Sequence, residues 1–399
     1  MIERISYAEW GPQEYRDLVL SFLRGTRHEG SETALVESAF RRLFPGKQLR
    51  FVNRGRHALG LALDIFAELR PDRPEVIVPA YICRSVVATV AACGLKPVPV
   101  DVAQDLNLDV DAVEPSLSDR TLAVIAVHMY GCPADIARLE RLCRDRRIFL
   151  VDDAAAVQGI AVAGRQLGAF GDAGLLSFTT SKTLVAGKRN AGGALLVNDP
   201  DLEALVDRRW ERLPPGRYDV SDLTNLVWED RFRQSVEHLD HYRDVLRRRL
   251  LVRERAAPVS VPRRMANANA VVLLRQLEGL EARIAGRIRV AKLFRDRIAE
   301  RGLLAFPQFR EGRYLTRIVL ECPAGTDTAR LAAALRARGI ETRRPYDVYD
   351  NPASPPTRAL QLQPRLLEVP SHSQMGEAEV ARICAVLHEE IERNRQPSR

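Results

Sequence analysis

A lysine stands inside a run of hydroxyl-bearing residues, SFTTSKTLVAG (177–187), directly after an apolar stretch. The chain has 60 lysines and arginines, and only Lys47, Lys96, Lys182, Lys188 and Lys292 are lysine. Arginine keeps its proton in a protein, whereas a lysine amine can lose it and become a nucleophile or a base. Lys182 is therefore the candidate reactive amine. Other chemically capable residues fall at the ends of short apolar runs. Asp152 and Asp153 end RIFLVDD (147–153), and His128 ends TLAVIAVH (121–128). Tyr81 and Cys83 follow EVIVPA (75–80), Gly55 and Arg56 follow LRFVN (49–53), and Ser177 ends AGLLS (173–177).

These residue types make a coherent set. A lysine amine forms a Schiff base with an aldehyde. An aspartate beside a pyridine nitrogen keeps it protonated, so that the ring accepts electrons. A glycine at a strand-to-helix junction exposes backbone N–H groups to an anion, and a serine hydroxyl adds a donor. Together they match the needs of pyridoxal phosphate. Each part has a plainer reading: a loop lysine, a helix-capping acid pair, a satisfied core histidine. Their recurrence at successive strand ends favours a common site.

The elements that position them alternate. Short apolar runs at 49–53, 75–80, 96–102, 121–131, 147–154, 173–178 and 193–199 are separated by helical patterns such as 56–69, 85–94 and 133–146. This predicts an α/β fold, a mostly parallel sheet of about seven strands between helices. In such a sheet ligands bind beyond the carboxyl ends of the strands, where these residues lie. Residues 1–45 are expected to be mostly helical, and 200–260 to form a helical insertion. The expected division is a large cofactor-binding domain over 1–265 and a smaller α/β domain over 266–399. One long helix is predicted over 269–302, a strand over 314–322 and a last helix over 376–394.

Composition removes other classes. The net charge is +8, but the arginines are spread along the chain with few aromatics among them, which disfavours a nucleic-acid partner. No apolar run reaches ~18 residues, so no membrane partner is expected. The charged N-terminus and the scattered cysteines fit a cytoplasmic enzyme with reduced thiols. No C-x-x-C pair, dinucleotide fingerprint or P-loop occurs. His238 and His241 sit three apart on a predicted helix, but no partner motif accompanies them, so no metal is expected.

The segments VIVPAYICRSVVATVAACGLKPVPVDV, AVHMYGCPADI, LVDDAAAVQG and GAFGDAGLLSFTTSKTL, with RRMANANAVVLLRQLEGLEARI, resemble the DegT/StrS family of pyridoxal-phosphate sugar aminotransferases, of the aspartate-aminotransferase fold. The resemblance implies that Lys182 carries the cofactor, that Asp153 faces its ring nitrogen, and that Ser177 with Gly55 and Arg56 holds its phosphate. It places His128 among the catalytic residues, and Tyr81 or Cys83 beside the ring. It implies a small-molecule amino donor, a keto or aldehyde acceptor such as a nucleotide sugar or natural-product intermediate, and a homodimer with shared active sites. The chain departs from the family pattern at five places: Ala156 for a glutamine, Cys83 for a stacking aromatic, Pro262 for an asparagine, a longer helical segment over 200–260, and a lysine loop extended by KRNA (188–191). The same fold also supports elimination, decarboxylation or carbon–carbon chemistry, and a non-catalytic relative is a third reading.

Overall fold

The computed structural model describes residues 3, 5, 9–227, 261–343 and 346–395. Seven strands form the central sheet: β1 (Gln48–Val52), β2 (Glu75–Pro79), β3 (Lys96–Val100), β4 (Thr121–Val127), β5 (Phe149–Asp153), β6 (Ala173–Ser177) and β7 (Gly193–Val197). Their order across the sheet is β1-β7-β6-β5-β4-β2-β3. The run from β6 to β3 is parallel, and β7 is antiparallel to both its neighbours. This is the expected mostly parallel seven-stranded sheet.

The apolar runs are continuous because both faces of the sheet are covered. Side chains alternate along each strand. On β4, Val124 and Ala126 join one core with Phe40 and Ile136, while Ala123 and Ile125 join the other with Ala58 and Phe66. Helices Glu32–Leu43 and Ile136–Asp145 cover the first face, and helices Gly55–Leu69, Arg84–Ala92 and Glu203–Glu211 cover the second.

Register brings the chemistry to one edge. Asp153 pairs with Val127 on one side and Leu175 on the other. His128 and Ser177 therefore lie one and two residues beyond those partners. Ser177 pairs with Gly193, and Gly193 with Val52, three residues before Gly55.

The C-terminal unit has its own core. Strands β8 (Ile318–Glu321) and β9 (Leu366–Val369) pair antiparallel, and helices Leu280–Ala299, Thr328–Ala337 and Glu377–Arg395 pack around them. The helix predicted over 269–302 is two helices, Asn267–Glu278 and Leu280–Ala299, broken at Gly279. Glycine is a poor helix former, and here it ends one helix and starts the next. The first of the two buries Ala270 and Leu273 in the core under the sheet, whereas the second gives Val290 and Phe294 to the C-terminal core. The strand predicted over 314–322 is only four residues long, and Thr316 and Arg317, just before it, line the site described below. Of the helical stretch expected over 200–260, Glu203–Glu211 and Val220–Val227 are observed. Residues 228–260, including His238 and His241, lie outside the described residues. Among the described residues no helix is long and apolar enough to cross a membrane, and no three His, Cys, Asp or Glu side chains cluster to hold a metal ion.

Candidate active site

A cavity of about 300 Å³ opens at the carboxyl edge of the sheet. Lys182, Asp153, His128, Ser177, Gly55, Arg56 and Cys83 all line it. The structure thus brings together seven of the eight residues that the family resemblance assigns to the site; Tyr81 is the exception.

The anion-binding end is built by a helix start. Helix Gly55–Leu69 follows Arg54, whose extended backbone forms the N-cap without a side-chain capping bond. No side chain therefore competes with an anion for that first turn. A Cβ placed on Gly55 would lie 2.8 Å from Ser177 Cβ and 3.1 Å from Ser177 Oγ. Glycine is required for the helix start to approach the serine this closely. Arg56 stands exposed at the mouth. The loop KRNA (188–191) matches no motif, yet Lys188 and Asn190 line the same cavity, and Arg54 Nε donates to Asn190 Oδ1 at 3.3 Å. Burial, then the neighbouring Arg56 and also Arg189, hold the Arg54 guanidinium below its ordinary range, with Asp222 opposing them.

The reactive pair lies deeper. Asp153 is buried and accepts from the Ala155 N–H at 3.0 Å through Oδ1. Burial pushes its carboxyl above the usual carboxylate range, against the pull of Lys182 and of that N–H. Burial, with the nearby Arg317 second, holds the Lys182 amine below the ordinary lysine range, and Asp153 acts the other way. A lysine pushed toward its neutral form is the form that attacks an aldehyde or takes a proton. Ser181, just before it, has φ +68°, and Tyr130 across the cavity has φ +57°. Left-handed backbone at residues other than glycine is strained by about 1–2 kcal/mol and gathers at functional sites.

His128 is held in a structural role. The Ala134 N–H donates to Nδ1 at 3.0 Å, so the ring proton sits on Nε2, which donates to Asp152 Oδ1 at 2.7 Å. Both nitrogens are engaged, and neither is available to exchange a proton with a substrate. These contacts favour a positioning role for the expected catalytic histidine, which lines the cavity. Asp152 Oδ2 accepts from the N–H groups of Gly168 (2.6 Å) and Phe170 (3.1 Å). Asp152 is fully buried, so Asp152→Ala leaves three buried donors unpaired. We expect it to cost about 3–5 kcal/mol of stability, measured by denaturant unfolding; a cost under about 1 kcal/mol would refute this reading.

Tyr81 turns away from the cavity. It pairs antiparallel with Val348 in a two-residue ribbon, where Tyr81 points inward and Ile82 faces the cavity; Cys83, beyond the ribbon at the N-cap of helix Arg84–Ala92, also lines the cavity. Its hydroxyl lies 2.6 Å from that of Tyr130, and its ring is buried with Met129 and Leu106. Cys83 Sγ lies 3.2 Å from Ser85 Oγ. The replacement for the missing glutamine is not Gln158, two residues along. Gln158 Nε2 donates to the carbonyls of Ala154, Ala155 and Ser177 at 3.2–3.4 Å, fastening the Asp153 turn to the Ser177 strand from behind. Sequence reasoning missed Thr316, Arg317 and Tyr346, which enter the cavity from the C-terminal unit. No local motif marks them; only a fold that folds back on itself over more than a hundred residues brings them here.

These features fit pyridoxal phosphate: a helix start packed on a serine for the phosphate, an enclosed amine, and a buried carboxylate with one oxygen fixed by a backbone N–H. Comparison with known proteins agrees. Residues 13–388 match the DegT/DnrJ/EryC1/StrS aminotransferase family. GDP-perosamine synthase of Vibrio cholerae is 34% identical over 173 residues, which are 43% of this chain and 45% of that protein, so the match spans about half of that relative's length. The L-glutamine:scyllo-inosose aminotransferase of Streptomyces griseus is 30% identical over 77% of this chain and 68% of that protein. Helicobacter pylori PseC, an aminotransferase involved in the biosynthesis of pseudoaminic acid, shares the fold with a TM-score of 0.80 at 16% identity, over 98% of this chain and all of that one (100%). The chain belongs to the DegT/DnrJ/EryC1/StrS aminotransferase family, whose cofactor is pyridoxal phosphate.

Proposed function

We propose that the protein transfers an amino group from an amino acid to the keto or aldehyde carbon of a sugar-like acceptor that carries phosphate. The observation that carries this reading is Lys182 and Asp153 in one cavity with the uncapped helix start at Gly55. When bound, the cofactor supplies an aldehyde that condenses with amines and a ring that accepts electron pairs. The Gly55 turn and Ser177 would hold its phosphate, and Asp153 would face its ring nitrogen. Lys182 Nζ, favoured as a neutral amine, takes the proton from the donor's α-carbon and later returns one to the acceptor carbon. His128, fixed through Asp152, shapes the wall against which these groups sit.

The acceptor's charge is inferred from cations in excess. A helix start and a serine suffice for one phosphate. Arg54, Arg56 and Lys188 stand at the same cavity in addition. They favour a nucleotide-linked sugar, as the name GDP-perosamine synthase describes for a relative, over an uncharged cyclitol ketone such as scyllo-inosose. The site is further proposed to be shared in a homodimer, which mass measurement in solution checks. The unpaired cysteines fit work in the reducing cytoplasm.

The test has two halves. With L-glutamate or L-glutamine the yellow cofactor-loaded protein should convert to the aminated, colourless form; failure with every common amino donor would overturn the aminotransferase reading. A nucleotide-linked keto sugar should then be aminated at least about 10-fold faster than scyllo-inosose. Arg56→Ala should lower that preference about 10-fold, with a weakened salt dependence. Equal rates with the two acceptors would overturn the phosphate assignment alone.

A further inference from the structure

Lys182 sits in an excursion between β6 and β7 whose two arms meet at its base. There the Ala186 N–H donates to the Phe178 carbonyl at 2.7 Å, and the Thr180 N–H to the Gly187 carbonyl at 3.1 Å. Side chains from distant parts of the chain hold the rest. Trp10 Nε1 donates to the Val185 carbonyl at 2.8 Å, the Val185 N–H donates to Gln276 Oε1 at 3.3 Å, and Asn269 Nδ2 donates to the Ala186 carbonyl at 3.2 Å. The residue next to the lysine, Thr183, has an anchor of its own. Its hydroxyl lies 2.8 Å from that of Tyr314, which stands ahead of β8. Tyr314 in turn donates to the Gln158 carbonyl at 2.6 Å. A phenol has one proton, so the Thr183 hydroxyl is the donor in the first bond.

These bonds join the two halves of the site. At one end is the neighbour of Lys182. At the other is Gln158, whose side-chain amide holds the Ala154 and Ala155 carbonyls just past Asp153. The tyrosine is itself fixed. A Cβ on Gly131 would lie 3.2 Å from the Tyr314 carbonyl oxygen, and the Thr316 N–H donates to the Tyr130 carbonyl at 2.8 Å, so this segment packs on the turn after His128. Thr183, Tyr314 and Gln158 are buried, so bulk water does not replace a lost partner. Ser181, on the other side of Lys182, has left-handed backbone, and such strain persists only where the surroundings over-determine it. Tyr314 and Thr183 lie behind the cavity wall, so they act through Lys182. We propose that Tyr314 is a positioning residue for amino transfer, which fixes the lysine turn against the Asp153 turn so that both groups meet one bound ring from set directions. Holding reacting groups to within about 0.5 Å is what gives proximity its rate advantage. The proposal rests on the aminotransferase reading.

The test compares wild type with Tyr314→Phe, Thr183→Val, Thr183→Ser and the double variant of the first two. Phenylalanine and valine keep the packing and remove the bonds, whereas serine keeps the hydroxyl. The first readout is the rate at which the cofactor-free protein turns yellow with pyridoxal phosphate, which reports how well Lys182 meets an aldehyde and needs no substrate. That rate should fall about 10-fold in Tyr314→Phe and in Thr183→Val, and stay within about 2-fold of wild type in Thr183→Ser. The second is conversion of the loaded protein by L-glutamate, where kcat should fall about 10-fold in the same two variants with KM within about 2-fold. The double variant should lose no more than Tyr314→Phe alone, because both substitutions cut one chain of bonds. Unchanged uptake and kcat in Tyr314→Phe and Thr183→Val overturn the proposal, as do losses that multiply in the double variant or that fall on KM alone. Should Tyr314→Phe fail to fold, Thr183→Val decides by the same two rates. Slowed uptake in the variants of a wild type that converts with no amino donor would leave the positioning role standing and sink the aminotransferase reading instead.

Discussion

Lys182→Ala should abolish amino transfer, lowering turnover by about 10³-fold or more, while the protein stays folded. Reduction with borohydride followed by peptide mapping should attach the cofactor to Lys182 in the wild type and to no residue in the variant. Attachment elsewhere, or turnover within 10-fold of wild type, would sink the assignment. The same residue has an opposite effect on stability. In the cofactor-free protein the lowered lysine pKa means that the unfolded chain binds a proton the folded one releases. Stability then rises with pH from the lowered value up to the ordinary lysine range near 10.5. Lys182→Met removes that penalty, so the cofactor-free variant should melt at a higher temperature than the cofactor-free wild type at pH 7. Such a trade is expected where function requires an uncomfortable group.

The parts of the site that could be recognised in the sequence are those set by strand ends. A parallel sheet places the last residue of each strand at one edge, so Asp153, His128 and Ser177 had to converge once the apolar runs were identified as strands. Lys182 was visible because the chain writes nearly all its cations as arginine. Two kinds of information were hidden. The first is orientation: the type of His128 suggests proton transfer, but its two nitrogens are taken by the Ala134 N–H and Asp152, which only the packed structure reveals. Tyr81 is the same case, since a one-residue alternation decides whether a side chain meets the cavity or the core. The second is long-range contact. Arg317 and Tyr346 arrive from a unit whose own core lies elsewhere, and nothing in YLTRIVLEC separates an arginine that lines a cavity from one that meets solvent. The extra loop KRNA is intermediate: its length was plain in the sequence, but not that it turns Lys188 and Asn190 toward the helix start.

Asp153→Asn should lower turnover by about 10²–10⁴-fold with Lys182 intact. Asparagine is nearly the same size and can still accept the Ala155 N–H, so the backbone turn at 153–155 should persist. What it cannot do is carry a negative charge opposite the ring nitrogen, and without that charge the ring loses its hold on a proton and its capacity to accept electrons. The variant should therefore stay yellow with cofactor bound to Lys182, yet convert slowly with glutamate. Loss of colour would point to a binding role alone, and near-normal conversion would show that another group faces the nitrogen. The pH behaviour supplies an independent check. Because burial raises this carboxyl, the folded cofactor-free protein keeps a proton that the unfolded chain has already released. Its stability must fall as pH climbs from the ordinary carboxylate range through the raised value, and Asp153→Asn should flatten that part of the melting curve's pH dependence. A slope unchanged by the substitution would mean that Asp153 is charged at no cost in the empty site.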